Sequence, residues 1–182
     1  MPNWAMGQVA VTGKRENIVS FLERFVSDDE PSTIPGKKFF ARSFLNDCRE
    51  NVLMYMTEPD DPAEDCELTF HVSFAWSAYS CVISGYPERN PDECITLIDA
   101  CVEDRVDVHI QTYELGMCFE EDITCTADGD LTETEKDLSR AKCPHCGAFQ
   151  SVGSFDDLEY LECDECGELG LVRCSEDDEE DE

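Results

Sequence analysis

Apolar residues recur along this chain with two different periods. Ile18, Phe21, Leu22 and Phe25 fall at i, i+3, i+4 and i+7, a stripe that predicts a helix within residues 15–26. Cys94, Leu97, Ile98, Cys101 and Val102 repeat the stripe. Ahead of them Asn90, Pro91 and Glu93 supply a cap residue, a first-turn proline and an acid at the capping-box position, so a second helix is expected to open there. Both stripes read as faces turned toward a core. Leu68, Phe70, Val72, Phe74 and Trp76 alternate instead with Glu67, Thr69, His71, Ser73 and Ala75, the period of a half-buried antiparallel strand that places Trp76 on the core side. Val106, Val108 and Ile110 continue that period, with Asp107 and His109 on the other face. Met117, Phe119 and Cys125 predict a further strand, joined to the previous one as a hairpin across residues 114–116. Residues 4–11 form a first strand of weaker alternation. Residues 37–56 are apolar in patches without a period and predict no element.

The expected order is therefore strand, helix, one or two strands, helix, two strands. That order describes an α+β domain, an antiparallel sheet with two helices on one face, the split β-α-β arrangement called ferredoxin-like. Breaks fall at the acidic segment 27–31, at the acidic loop 58–65 and at the Asp128-Gly129-Asp130 turn. The body is expected to end at residue 131, with residues 132–140 as a polar linker. A separate module would occupy residues 141–174. Residues 175–182 hold seven acids in eight positions, a tail too charged to fold.

The module at 141–174 carries the most legible chemistry. Cys143 and Cys146 lie in Cys-Pro-His-Cys-Gly, and fifteen residues later Cys163 and Cys166 lie in Cys-Asp-Glu-Cys-Gly. Two cysteines three apart can aim their thiolates at one metal only across a tight turn, and Gly147 and Gly167 stand where that turn needs positive φ. Two such knuckles offer four soft ligands in a tetrahedron, the closed geometry of one structural Zn2+ in a zinc ribbon. With four thiolates present, His145 reads as a bystander. No coordination position is left for water, so the metal is expected to hold a fold and not to run a reaction.

Charge narrows the partners. The 182-residue chain, enough for one medium domain and an appendage, holds 43 acidic against 13 basic residues, a net −30. Residues 1–50 are balanced, seven against seven, so the whole excess lies after residue 50. Nucleic-acid binding depends on Lys and Arg displacing counterions, so direct binding to nucleic acid or to an anionic membrane is not expected. A protein partner with a basic surface, or competition with nucleic acid for a basic groove, fits better; solubility alone would explain the acidity equally well. The first residues show no basic segment followed by an apolar run, so no signal peptide is read. Residues 68–87 lack formal charge, but His71, Gly85, Pro87 and several hydroxyls make them too polar for a membrane span. Zinc thiolates suit a reducing compartment, so the expected location is cytoplasmic. Cys48, Cys66, Cys81, Cys94, Cys101, Cys118, Cys125 and Cys174 are read as free thiols, most of them small core residues.

Met-Pro-Asn-Trp at the start, then Val9-Ala10-Val11-Thr12-Gly13 and a helix, with Ala75-Trp76-Ser77 at a strand end before the second helix, resembles the YubB-type ferredoxin-like family of phages, plasmids and other mobile elements. The resemblance spans roughly residues 1–126 and departs at position 5, where members often carry cysteine and this chain has Ala5. It implies a fold and a mobile-element setting, and no catalytic residue.

The reading that follows is a non-catalytic, zinc-containing binding or adaptor protein acting through protein contacts, with mimicry of nucleic acid as a sharper version. The alternative is a cysteine-dependent enzyme in which His71 or His109 activates Cys66, Cys81 or Cys118. No glycine-rich phosphate loop, nucleophile elbow or HExxH motif supports it. Trp76, Tyr79 and Tyr86 surround a loop that could form a contact patch.

Overall fold

Strand β1 (Trp4–Lys14) runs through the middle of a six-stranded sheet. In this computed structural model, which describes residues 3–24, 43–45, 64–84 and 95–174, all ladder pairings are antiparallel. β1 pairs with β3 (Asp65–Ala75) on one side and β4 (Asp107–Glu114) on the other. With β2 (Ser43–Leu45), β5 (Phe119–Cys125) and β6 (Leu131–Asp137), the order is β2-β3-β1-β4-β5-β6. Helix α1 (Arg15–Arg24) follows β1, and α2 (Leu97–Asp104) precedes β4.

Alternation sets which side is buried. Val9 lies between Phe70 and Ile110, and Val11 between Leu68 and Val108. Val9, Val11, Phe70, Ile110 and Val108 are buried and form one cluster with Ile18, Phe21 and Leu22 of α1 and Leu97, Ala100 and Cys101 of α2. α1 packs on β1 and β3 and against α2, and α2 also meets β5. The Ser20 hydroxyl of α1 donates to Asp104 Oδ1 of α2 at 2.7 Å. β1 and β4 approach so closely at Gly7 that a Cβ there would stand 1.9 Å from the Gln111 carbonyl oxygen, which only glycine avoids.

Four local expectations change. α2 starts at Leu97, with Thr96 as N-cap: its hydroxyl oxygen accepts from the Asp99 amide at 3.1 Å, and the hydroxyl donates to the Asp99 carboxylate at 2.8 Å. Its buried face is Leu97, Ala100, Cys101 and Asp104, which leaves Val102 exposed. Trp76 is not a core residue: φ reaches +75° there, the alternation ends at Ala75, and the indole is 44% exposed. Met117 belongs to the turn between β4 and β5, with its amide and that of Gly116 tied to the Glu114 carboxylate. Residues 132–140 are not a linker, because β6 pairs along its whole length with β5 and β7 (Ser139–Lys142) begins two residues later. Phe25, Cys48, Tyr86, residues 90–94 and residues 175–182 lie outside the described residues, as does most of 37–56 beyond β2. Among the described residues, no helix is long and apolar enough to cross a membrane.

A second, three-stranded sheet follows, β8 (Phe149–Val152), β7 and β9 (Val172–Arg173) in that order. Its own core is Ala141, Cys143, Val152, Cys163 and Leu171, too little apolar surface for a unit of this size to fold unaided.

Candidate metal centre

Each knuckle is built by the same backbone pattern. The Cys143 amide donates to the Ala148 carbonyl at 2.8 Å, and the Gly147 amide returns to the Cys143 carbonyl at 2.9 Å. Twenty residues on, Cys163 donates to Glu168 at 2.9 Å and Gly167 returns to Cys163 at 2.8 Å. Gly147 and Gly167 hold φ of +78° and +73°, the positive values that the sequence spacing requires.

The two turns face each other. All four Sγ atoms lie within 4.8 Å of one another, and the Cys143–Cys166 and Cys146–Cys163 separations are both 3.7 Å. A tetrahedral ion with metal–sulfur bonds of about 2.3 Å needs sulfur–sulfur edges of about 3.8 Å, so the set fits such an ion without rearrangement. These four cysteines can hold one metal ion, and a tetrahedral one would find four ligands among them. His145 contributes its backbone amide, which donates to Cys143 Sγ at 3.4 Å, while its ring is no part of the group.

Donors prepare one sulfur for charge. The amides of Cys146 and His145 hold the Cys143 thiol down at about 6. At Cys166 the Glu168 amide acts the same way, yet burial and the other three sulfurs push its thiol up to about 12. Cys146, despite the Ala148 amide, is also raised by burial and by its neighbours Cys163 and Cys143. A cation among the four sulfurs would lower the raised thiols of Cys146 and Cys166, since the thiolate is the ligand form.

The centre is seated on the large sheet through a loop that the sequence did not single out. Ser154 donates its amide to Glu120 Oε2 at 2.6 Å, and Lys136 pairs with Glu120 Oε1 at 2.8 Å. Phe155 meets the ring of Tyr113, centroids 5.7 Å apart at 41°. Behind the loop, the Arg173 guanidinium donates to the carbonyls of Gly153 and Ser154. Tyr113, Gln111 and Glu120 lie on the sheet face opposite the core, which also carries Gln8, bonded to Gln111 at 3.0 Å, and His109, bonded to Asp122 at 3.0 Å. No motif marks Ser154 or Glu120 in sequence; only the strict alternation of β4 and β5 could have placed Tyr113 and Glu120 on one face.

The cysteine–histidine pairs of the enzyme alternative are not assembled. His71 and His109 stand on the face away from the core. Cys66 takes the core-side parity of β3, Cys81 is buried with its thiol on the Ala75 carbonyl, and Cys118 sits in the β4–β5 turn with its thiol on Leu115. Next to Glu120, Glu121 points to the core side, where its carboxylate accepts from the Ala78 and Tyr79 amides at 2.7 and 3.1 Å. Burial raises its pKa against the pull of those donors.

No protein-family model, curated protein or solved structure matches this chain. Its functional reading therefore rests on the site itself.

Proposed function

We propose that the chain is a non-catalytic binding or adaptor protein stabilised by one structural zinc ion and directed to a protein partner with a basic surface. The observation that carries this reading is the closed thiolate set: Cys143, Cys146, Cys163 and Cys166 satisfy a tetrahedral ion and leave no position for substrate. Tetrahedral sulfur sites suit zinc or iron; zinc is the redox-silent ion for a site whose task is to hold a small fold.

The body is read as ferredoxin-like. The order β2-β3-β1-β4, with α1 between β1 and β2 and α2 between β3 and β4, supports that reading, and β5 and β6 extend it. The same order suits the resemblance of residues 1–126 to the YubB-type family, and with it a mobile-element setting. The charge supports the partner class. Residues after 50 carry the full net −30, and the exposed strand β6 adds Glu133, Glu135 and Asp137 at alternate positions along a sheet edge. A partner that normally grips nucleic acid would meet a comparable field here, so competition with that nucleic acid is the mode we favour.

Metal analysis of the purified chain, with capture of partners from host cells, tests the reading. One zinc per chain and a captured protein released by both salt and nucleic acid are expected. Absence of metal, or a partner indifferent to salt and nucleic acid, would overturn it.

A further inference from the structure

The seam between the large sheet and the zinc-ribbon module contains a recess that the proposed metal centre does not use. It measures about 340 Å³ and is lined by Gln8, His71 and Tyr113 from the open face and by Phe155, Asp156 and Asp157 from the ribbon loop. That volume is in the range of pockets that take a small ligand, about 300–1,000 Å³, and module boundaries are where such pockets concentrate.

Its chemistry selects the ligand. One wall is aromatic, the tilted pair of Tyr113 and Phe155. The ribbon side adds two adjacent carboxylates, and none of the described residues lining the space is a lysine or arginine, Arg173 acting on Asp156 from outside it. Asp156 is fixed in place, its Oδ2 accepting the Gly153 amide at 2.7 Å, and Asp157 Oδ1 accepts the Glu159 amide at 3.3 Å. Burial raises the pKa of the Asp156 carboxyl against the pull of the Gly153 amide and of Arg173, and a further cation in the recess would lower it. A guanidinium is planar and weakly hydrated, stacks on aromatic rings and bonds carboxylates with a fork of N–H donors. Backbone and side-chain links hold both walls: Glu120 to Ser154 on one side of the loop, Arg173 to the loop carbonyls on the other.

We propose that this recess is a binding site for a guanidinium group, an arginine side chain projecting from the partner's basic surface. The inference deepens the partner reading above, and its test separates the two. The intact chain would be titrated with N-acetylarginine amide while the ring resonances of Tyr113 and Phe155 are followed by NMR. The expected result is a saturable shift of both rings that the neutral N-acetylcitrulline amide fails to produce. Loss of the aromatic wall in Tyr113→Leu, or of one carboxylate in Asp157→Asn, should weaken the arginine probe about tenfold. Asp157→Asn leaves the Gly153–Asp156 bond and keeps an Oδ1 acceptor for the Glu159 amide, so its effect reads the lost charge and not the loop's folding. Shifts that never saturate, spread equally to Glu133 and Glu135, or persist unchanged in Tyr113→Leu would mean general attraction to an acidic surface and would overturn the site. A basic partner captured with equal affinity by wild type and Asp157→Asn overturns the recess and spares the partner reading. A saturable recess in a chain that captures no basic protein supports the site and removes that reading.

Discussion

Glu120 receives the amide of Ser154 at 2.6 Å, a bond across thirty-four residues that ties the ribbon module to the open face of the large sheet. Its second oxygen is held by Lys136 at 2.8 Å, so one nearly buried carboxylate joins β5, β6 and the ribbon loop. The two modules are thereby positioned by a charge-assisted clasp and by the Tyr113–Phe155 ring contact.

Glu120→Ala should therefore loosen the ribbon without releasing its metal. The Ser154 amide would lose a charged acceptor, a hydrogen bond of the kind worth about 1.5–3 kcal/mol and less here because Ser154 is exposed and water can replace it. Hydrogen exchange should accelerate at Ser154 and Phe155 and stay slow at Cys143 and Cys163. Equal acceleration at all four would mean that the clasp supports the ribbon fold itself.

The neighbouring carboxylate, Glu121, should give the opposite pH signature. Lys136 and the Ser154 amide outweigh burial at Glu120, lowering its pKa, so its stabilisation is present above the ordinary value and is lost as pH falls through the depressed one. At Glu121 burial outweighs the Ala78 and Tyr79 amides and raises the pKa. The folded state then holds a proton that the unfolded chain releases, and stability contributed by Glu121 grows as pH falls from neutrality through its raised pKa. Wild-type stability relative to Glu121→Gln should rise over that interval, measured by urea unfolding at successive pH values. A difference independent of pH would show that Glu121 keeps an ordinary pKa.

How these features could be read from sequence depended on whether the responsible pattern was local. The stripe Ile18–Phe21–Leu22, the alternation through Phe70, Val72 and Phe74, and the paired knuckles of Cys143 and Cys163 each lie in a short window, and each stands where that window placed it. β6 did not announce itself, because an edge strand exposed on both sides needs no apolar alternation; its Thr132, Glu133, Thr134 and Glu135 resemble a linker, although threonine favours strands and charge protects an edge. Trp76 misled for a related reason: the positive φ that turns it outward leaves no mark in the period. The Glu120–Ser154 clasp joins distant residues of ordinary polar type, and nothing short of the folded sheet brings them together.

Metal removal should dismantle the ribbon and leave the body. Purified protein should carry one zinc per chain, and Cys163→Ser should release it. The ribbon would then lose its three-stranded sheet, since structural zinc supplies on the order of 10 kcal/mol to a unit with so small a core. Circular dichroism should retain the signal of the six-stranded sheet and both helices. Stoichiometric iron, or a ribbon that keeps its amide protection without metal, would contradict the assignment.

The fold also moves the place where the body can be cut. A chain ending at Leu138 keeps all six strands, whereas one ending at Leu131 removes β6 and bares the edge of β5 beside Ile123 and Cys125. The longer fragment should melt cooperatively. The shorter should melt at lower temperature and self-associate, because an unpaired strand edge is a template for another chain. Equal melting of the two would show that β6 adds nothing to the sheet.

Electrostatics supply the last test. Since residues after 50 hold 36 acids and six bases, the chain should not retard DNA or RNA at physiological salt, having few cations with which to displace counterions. Its protein partner should bind less tightly as salt rises, because screening acts over about 8 Å at 0.15 M. Residues 175–182 contribute seven acids, so removing them should slow association more than it hastens dissociation, the signature of steering by charge. Surface plasmon resonance at several salt concentrations separates the two rates. Tight binding that resists salt, or direct capture of nucleic acid, would transfer the contact to an uncharged surface, of which the exposed Trp76 is the first to mutate.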